Sequence, residues 1–360
     1  MAGCSPMPEV DLTAGVDLRA GAGLPRAELE RAFPVGEWRE LDPLPLGKSQ
    51  HWRLATTRGA FVLRRSYRSK TAEAVRFEHE LVARLRSSGF PAPEYVPATN
   101  GDPCAVVDGR LWRLARFVTG RPASAEVPGQ AETVARALAR YHQLVAGFSA
   151  TVPTPEVPLM PAALAERLAA NPTGDRFLRN VPEGLVGPLR FALAQGRAVH
   201  DRLEHLYPSL PLTTIHAGCR RGSALFDGGR LAVVLDFDSA HTEARALDVA
   251  VAVHDFAKVY GDPDSPDYKV HLDRAVAARF VDAYQAVSTL TPAELEAVPV
   301  LLRAKRLKRA LGRYARLLAG DSLSANDFRK ITLELARVRS LGEDDDLLRA
   351  VARSGSGGVR

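Results

Sequence analysis

The segment from His216 to Asp238 constrains this chain more than any other. It reads His216-Ala217-Gly218-Cys219-Arg220-Arg221-Gly222-Ser223-Ala224-Leu225-Phe226, turns at Asp227-Gly228-Gly229, and returns to Leu235-Asp236-Phe237-Asp238. Apolar residues on either side of a glycine-rich turn predict an extended region from Ala224 to Phe237. On such a segment residues two apart share a face, so Asp236 and Asp238 would present two carboxylates together. A histidine-led loop thus leads through a hairpin to a pair of acids.

This run resembles the catalytic and metal-binding loops of the aminoglycoside phosphotransferase and homoserine/choline kinase-like superfamily. Members typically read H-G-D-x-H-x-x-N-x-L-F, then a short hairpin, then D-F-D/E. The resemblance covers roughly residues 34 to 345 and is closest over 216 to 250. It implies an α+β, bilobal protein-kinase-like fold, with a small β-rich N-lobe and a large helical C-lobe. It also shows two departures. Gly218 stands where the family places its catalytic aspartate, and Ser223 where it places its metal-binding asparagine.

Further roles follow from the same resemblance. Asp236 matches the metal-binding aspartate, with Ser223 keeping an oxygen as a second metal ligand. Arg64 matches the phosphate-holding lysine at the end of a small-lobe strand, and Glu78 is its helix partner; these two are the cofactor-binding candidates. Arg220 and Arg221, where the family usually has His and Pro, would bind an anionic group. Ala246-Leu247-Asp248-Val249-Ala250 matches the segment whose aspartate caps a helix and braces the catalytic loop. His254 and Asp255, on the same helix, would face the substrate. ATP and Mg2+ are the cofactors that the family implies; the residues themselves name none.

The rest of the chain reads as a two-lobe protein. Residues 1–23 form a loose Gly/Ala/Pro-rich leader and 24–117 an N-lobe of strands plus one main helix. In that lobe, hairpins turn at Arg58-Gly59 and Asp108-Gly109, a helix runs from Thr71 to Arg86, and a short one from Arg26 to Phe33. Residues 118–122 form a hinge, 123–350 a helical C-lobe, and 351–360 a disordered tail. Helices are expected over Ala131–Val145, Leu189–Tyr207, Leu247–Tyr260, Leu272–Ala286, Ala293–Leu318 with Pro299 disturbing it, and Asn326–Leu341.

Leu46-Gly47-Lys48-Ser49 is not a P-loop, because Asp42 occupies the place of its first glycine and no apolar strand leads in. The turn between the first two strands is the better reading. Arg303 to Arg309 forms a basic helical stretch over an apolar stripe of Leu301, Leu302, Leu307 and Leu311. It reads as a solvated face or an anion-binding wall.

Composition excludes several classes. Lys and Arg total 48 against 42 acids, for a net charge of +6, which is too mild to argue nucleic-acid binding. The basic stretch also lacks interleaved aromatics. Three cysteines far apart imply neither a disulfide framework nor a zinc site. Cys219, three residues after His216, invites a nucleophile reading, but its place in the family pattern is apolar packing. No apolar run spans a bilayer, so a soluble cytoplasmic protein is expected, with a small-molecule substrate, anionic by the arginines, and no nucleic-acid or membrane partner.

Three functions are consistent with this pattern. The first is a repurposed small-molecule enzyme of secondary-metabolite or resistance type, using the interlobe cleft without ordinary hydroxyl phosphorylation, with His216, Asp236 and Asp238 as acid/base groups. The second is a surviving ATP/Mg-dependent phosphotransferase, since positioning and electrostatics carry most of that catalysis. The third is a non-catalytic pseudokinase that binds a nucleotide or metabolite.

Overall fold

The structure is a computed structural model that describes residues 24–44, 49–148, 178–179, 181–260, 270–336 and 338–339. The expected leader, the strand-to-strand turn at 45–48, the disordered tail and the end of the last helix fall outside these residues. The chain divides into two compact units, one ending at Thr119 and one beginning at Gly120.

The first unit is a sheet with two helices. After α1 (Arg26–Ala32) come β1 (Trp38–Leu44), β2 (Gln50–Thr56), β3 (Gly59–Arg65), α2 (Ala72–Ser87), β4 (Tyr95–Val96), β5 (Ala105–Val107) and β6 (Arg110–Arg116). The sheet is antiparallel throughout, ordered β1-β2-β3-β6-β4, with β5 also on β6. Period-2 alternation sets its inner face, burying Trp52 and Leu54 from β2 and Phe61 and Leu63 from β3. Leu29, Phe33, Trp38, Trp112 and Leu114 complete that core.

Both predicted hairpin turns are present. Asp108 and Gly109 each take positive φ, 50° and 64°, which matches the strand twist in a two-residue loop. Strand β1 precedes the turn expected between the first two strands, but the sequence reading set no bounds for it. It buries only Trp38 and carries Asp42-Pro43, and it is an edge strand, where a proline costs no central ladder bond.

The second unit is mostly helical. Its elements are β7 (Arg121–Pro122), α3 (Gln130–Leu144), α4 (Glu183–Leu206), β8 (Leu212–Ile215), β9 (Ala224–Asp227), β10 (Arg230–Val234), β11 (His241–Ala244), α5 (Arg245–Ala257), β12 (Lys258–Tyr260), β13 (Val270–Leu272), α6 (Arg274–Gln285) and α7 (Pro292–Leu318). Residues 325–336 are also helical. Helix α5 packs on α6 and α7, α3 on α6, and α4 on α7. Ten of the residues of α5 are buried, among them Ala246, Val249, Val253 and Phe256, so it is the central post of this unit.

Three expectations are corrected here. The extended region ends at Val234 rather than Phe237, because Asp236 is left-handed and Phe237–Ser239 forms a 3-10 turn. Asp236 and Asp238 therefore do not share a strand face. Helix α5 stops at Ala257, and Lys258–Tyr260 pairs as β12 with β13 instead. Pro299 does not interrupt α7, which runs unbroken from Pro292 to Leu318. An interior proline costs about 3 kcal/mol, and here Ala297, Val298, Val300, Leu301 and Leu302 are all buried around it. Packing outweighs the lost hydrogen bond.

Candidate active site

Asp248 organises the site. It sits on α5 with 0% exposure, and both of its carboxylate oxygens accept from the loop that follows β8. His216 N–H donates to Oδ2 at 2.6 Å and Ala217 N–H to Oδ1 at 2.7 Å. His142 Nε2 lies 3.3 Å from Oδ2, and the Tyr284 hydroxyl lies 2.7 Å from His142 Nδ1. The aspartate thus ties the loop to α3 and α6. Burial alone would raise its pKa. The His142 hydrogen bond and the His142, His216 and Lys305 charges overcome this and hold it below the usual carboxylate range. Of the two roles expected of Asp248, the structure displays the brace; the cap position of its own helix is Ala244.

The loop is strained where Asp248 grips it. Ala217 has φ of 62° and Asp236 a φ of 68°. For residues with a Cβ this left-handed geometry costs roughly 1–2 kcal/mol each, and such strain gathers at functional sites. Gly218, between them in space, has no side chain, yet a Cβ there would meet nothing closer than His216 Nδ1 at 3.6 Å. The space beside Gly218 is open.

His216 is spent inside the loop. Its Nδ1 accepts from Gly218 N–H at 3.2 Å, which leaves Nε2–H to donate to the Leu235 carbonyl at 2.8 Å. Its ring packs on Phe237 with centroids 4.7 Å apart and is 1% exposed. Burial lowers its pKa, against the pull of Asp248 and Asp236. The acid/base role expected of His216 therefore does not fit. Bonded at both ring nitrogens, it joins the two loops.

The expected metal ligands differ in the same way. Asp236 is exposed, held outward by its left-handed backbone, and Asp238 is partly buried. Ser223 is 2% exposed. Its hydroxyl accepts from Arg220 N–H at 2.8 Å and points at the Arg220 and Gly218 carbonyls, at 2.9 and 3.2 Å. Magnesium binds through one or two carboxylates plus substrate phosphates and water. The Asp236 carboxylate fits that habit, and the inward Ser223 hydroxyl does not. Among the described residues no group of three or more His, Cys, Asp or Glu is placed to hold a metal ion.

The substrate candidates separate into a used and an unused set. Asp255 accepts from Arg221 N–H at 2.9 Å and pairs with the Arg221 guanidinium at 3.6 Å and Lys258 at 2.5 Å. Burial would raise its pKa, but Lys258 and Arg221 hold it down. Arg221 and Asp255 thus neutralise each other at the loop's edge, rather than facing a substrate. His254 is buried against Arg306, whose Nη2 lies 3.0 Å from His254 Nδ1. Arg220 is only half-buried. Cys219 is 2% exposed, and burial, with Asp248 and Asp255, pushes its thiol well up. It is inert packing.

Lys305 is the residue that the sequence reading passed over. It stands on α7 and its Nζ donates to the Ala217 carbonyl at 3.1 Å. Basic residues at 303–309 were legible as one stretch, but not which of them turns inward.

In the first unit Glu78 is 1% exposed on α2. Arg113 meets it at 2.6 Å, Lys70 at 3.4 Å and the Tyr95 hydroxyl at 2.6 Å. Burial would raise its pKa, and Arg113, Lys70 and Tyr95 outweigh that. Arg113 and Lys70 are therefore partners of Glu78 beyond the one that the sequence offered. Arg64 donates to Ser49 Oγ at 3.0 Å, and its charge is among those that lower Glu78. Arg64 and Arg113 are directly paired across β3 and β6, and Arg113 reaches the helix acid first.

Comparison with known proteins agrees with this arrangement. Homoserine kinase from Rhodopseudomonas palustris (strain BisA53) is 28% identical over 294 residues, covering 80% of this chain and 82% of that protein. Homoserine kinase from Methylobacillus flagellatus is 27% identical, covering 82% and 87%. Among solved structures, amicoumacin kinase hAmiN in complex with AMP-PNP, Ca2+ and Ami superposes with a TM-score of 0.63 at 15% identity, over 89% of this chain and 92% of that one. A microcompartment-associated aminopropanol kinase gives 0.62 at 17%, over 92% and 97%. The fold is that of the kinase-like aminoglycoside phosphotransferases. With a braced histidine loop, a left-handed aspartate after the hairpin, and a match to the family's sequence profile over residues 40–297, this chain belongs to the phosphotransferase enzyme family.

Proposed function

We propose that this protein is a nucleoside-triphosphate-dependent phosphotransferase acting on the hydroxyl of a small molecule. The observation that carries the reading is Asp248. Both its oxygens grip the backbone of the loop from His216 and hold Ala217 in a left-handed geometry, a fixed arrangement that suits a reaction carried by positioning. Exposed Asp236 would hold a divalent cation, which supplies charge neutralisation to the transferring group. His216 fixes Asp236's segment to the loop through Leu235. Phosphoryl transfer depends mainly on positioning and electrostatics, so the loss at Gly218 lowers the rate without removing the reaction.

The curated relatives are named homoserine kinases, which makes L-homoserine the first acceptor to test. Purified protein with Mg-ATP and L-homoserine should release ADP, and Asp236→Ala should reduce this at least about 100-fold. Mg-ATP should also raise the melting temperature in a concentration-dependent way. ADP release that survives Asp236→Ala, or no response to millimolar Mg-ATP in either assay, would sink the proposal.

One observation favours a second reading, a small-molecule enzyme that works without phosphorylation. Both residues that the family uses for base and second metal are changed, and Ser223 is turned inward. That enzyme would convert its substrate with no nucleotide present.

A further inference from the structure

The loop has lost an acid, and a lysine stands beside the gap. Lys305 is half-buried, and its Nζ is bonded to the carbonyl of Ala217, the residue immediately before Gly218. A carbonyl accepts from an ammonium and, more weakly, from a neutral amine, so this bond alone does not fix the charge. The groups around Lys305 come from four elements. Arg220 lies on the loop, Asp248 on α5, and Arg306 and Arg309 on α7 itself. His254 on α5 backs Arg306, and Glu334 from the 325–336 helix pairs with Arg306 at 3.4 Å and Arg309 at 3.8 Å. Both oxygens of Asp248 are already taken by the loop's N–H groups, so it reaches Lys305 as a field.

We propose that Lys305 is the proton acceptor of the transfer step, in place of the carboxylate that Gly218 lacks; this role rests on the phosphotransferase reading above. The substrate hydroxyl oxygen attacks the γ-phosphorus of a bound nucleoside triphosphate. The new P–O bond forms as the bond to the β–γ bridging oxygen breaks, and the nucleoside diphosphate leaves with that electron pair. The hydroxyl proton passes to Lys305 Nζ, and the resulting ammonium returns it to solvent after release.

The surroundings favour this use. Burial first, and then the fields of Arg309, Arg220 and Arg306, bring Lys305 from the usual 10.5 to about 8, against the opposing pull of Asp248. At pH 7 roughly a tenth of the molecules would hold a neutral amine, enough for a base. A lysine desolvated among other cations is activated in this manner. An arginine at the same place would keep the charge and could not accept a proton.

The test is ADP release from Mg-ATP, with L-homoserine and with water alone as acceptor, followed from pH 6 to 10. Wild type should rise tenfold per pH unit and level off above about pH 8. Lys305→Met and Lys305→Arg should each lose about 100-fold and the rising limb with it, while Lys308→Met, on the exposed side of the same helix, should change nothing. Adding Gly218→Asp to Lys305→Met should restore activity with the rising limb moved to lower pH, a rescue that a merely structural lysine would not permit. Activity retained by Lys305→Arg and lost by Lys305→Met overturns the base and leaves only a charge. Turnover unchanged in both variants overturns this role alone. Absence of turnover in wild type overturns the phosphotransferase reading and the base together, so the two failures are distinguishable.

Discussion

Glu78 in the first unit and Asp248 in the second are both fully buried carboxylates, and both are held ionised, yet they are compensated differently. Glu78 is enclosed by two cations and a phenol: Arg113, Lys70 and Tyr95. Its partners are all side chains. Asp248 is satisfied mainly by two backbone N–H groups and by His142. Lys305, which it influences, has no carboxylate bonded to it among the described residues and stands among three arginines. Removing one partner of a buried pair such as Arg113 and Glu78 leaves an uncompensated charge. A brace that uses up the acid on backbone leaves the neighbouring cation available for chemistry.

The sharpest way to break the comparison is Asp248→Asn. It leaves one of the two loop N–H groups facing an amide and removes the charge that the cluster is built around. Loss of about 3–5 kcal/mol is expected, with no remaining turnover, read by urea unfolding and ADP release. Glu78→Gln should cost somewhat less, about 2–4 kcal/mol, since Tyr95 can still pair with the amide. It also carries a pH signature. Glu78 is depressed in the folded state, so its contribution is present above the unfolded carboxylate's pKa and disappears as pH falls through the folded value. Unfolding curves of wild type and Glu78→Gln should converge on acidification.

Lys305→Met should have the smallest effect, and the opposite sign. A lysine lowered from 10.5 to about 8 makes the unfolded chain bind more protons between those values, so its cost to folding is fully present below pH 8 and fades as pH rises toward 10.5. Removing it should stabilise the protein at pH 7 by at most about 3 kcal/mol, less the bond to Ala217. A melting temperature that falls instead would mark Lys305 as a structural tie, and the contrast with Glu78 would vanish.

Much of this was legible in the chain. Helices α2, α3, α6 and α7, and the hairpins at Gly59 and Asp108-Gly109, follow from local periodicity and turn chemistry, and the structure places them within a few residues. The frame of the site was legible too, because His216, Asp236 and Asp248 occur in a recognisable order. What each does was less so. His216 reads as an acid or base until both ring nitrogens are seen to be occupied. Arg64 and Glu78 read as a pair, and only the β3–β6 register adds Arg113 to them. The bounds of strand β1 escaped because an edge strand with one buried side chain has little alternation to detect.

The sequence by itself determined the family and the order of elements, because short-range patterns and motif spacing are written in consecutive residues. It also determined that Gly218 supplies no carboxylate. Only the tertiary structure decided which side chains are available. Arg221, Asp255, His254 and Ser223 are engaged in local bonds, whereas Lys305, 87 residues beyond Gly218 in the sequence, arrives beside the loop through the packing of α7 on α5. Desolvation and the fields of distant charges act through space, and no local window of a sequence contains them.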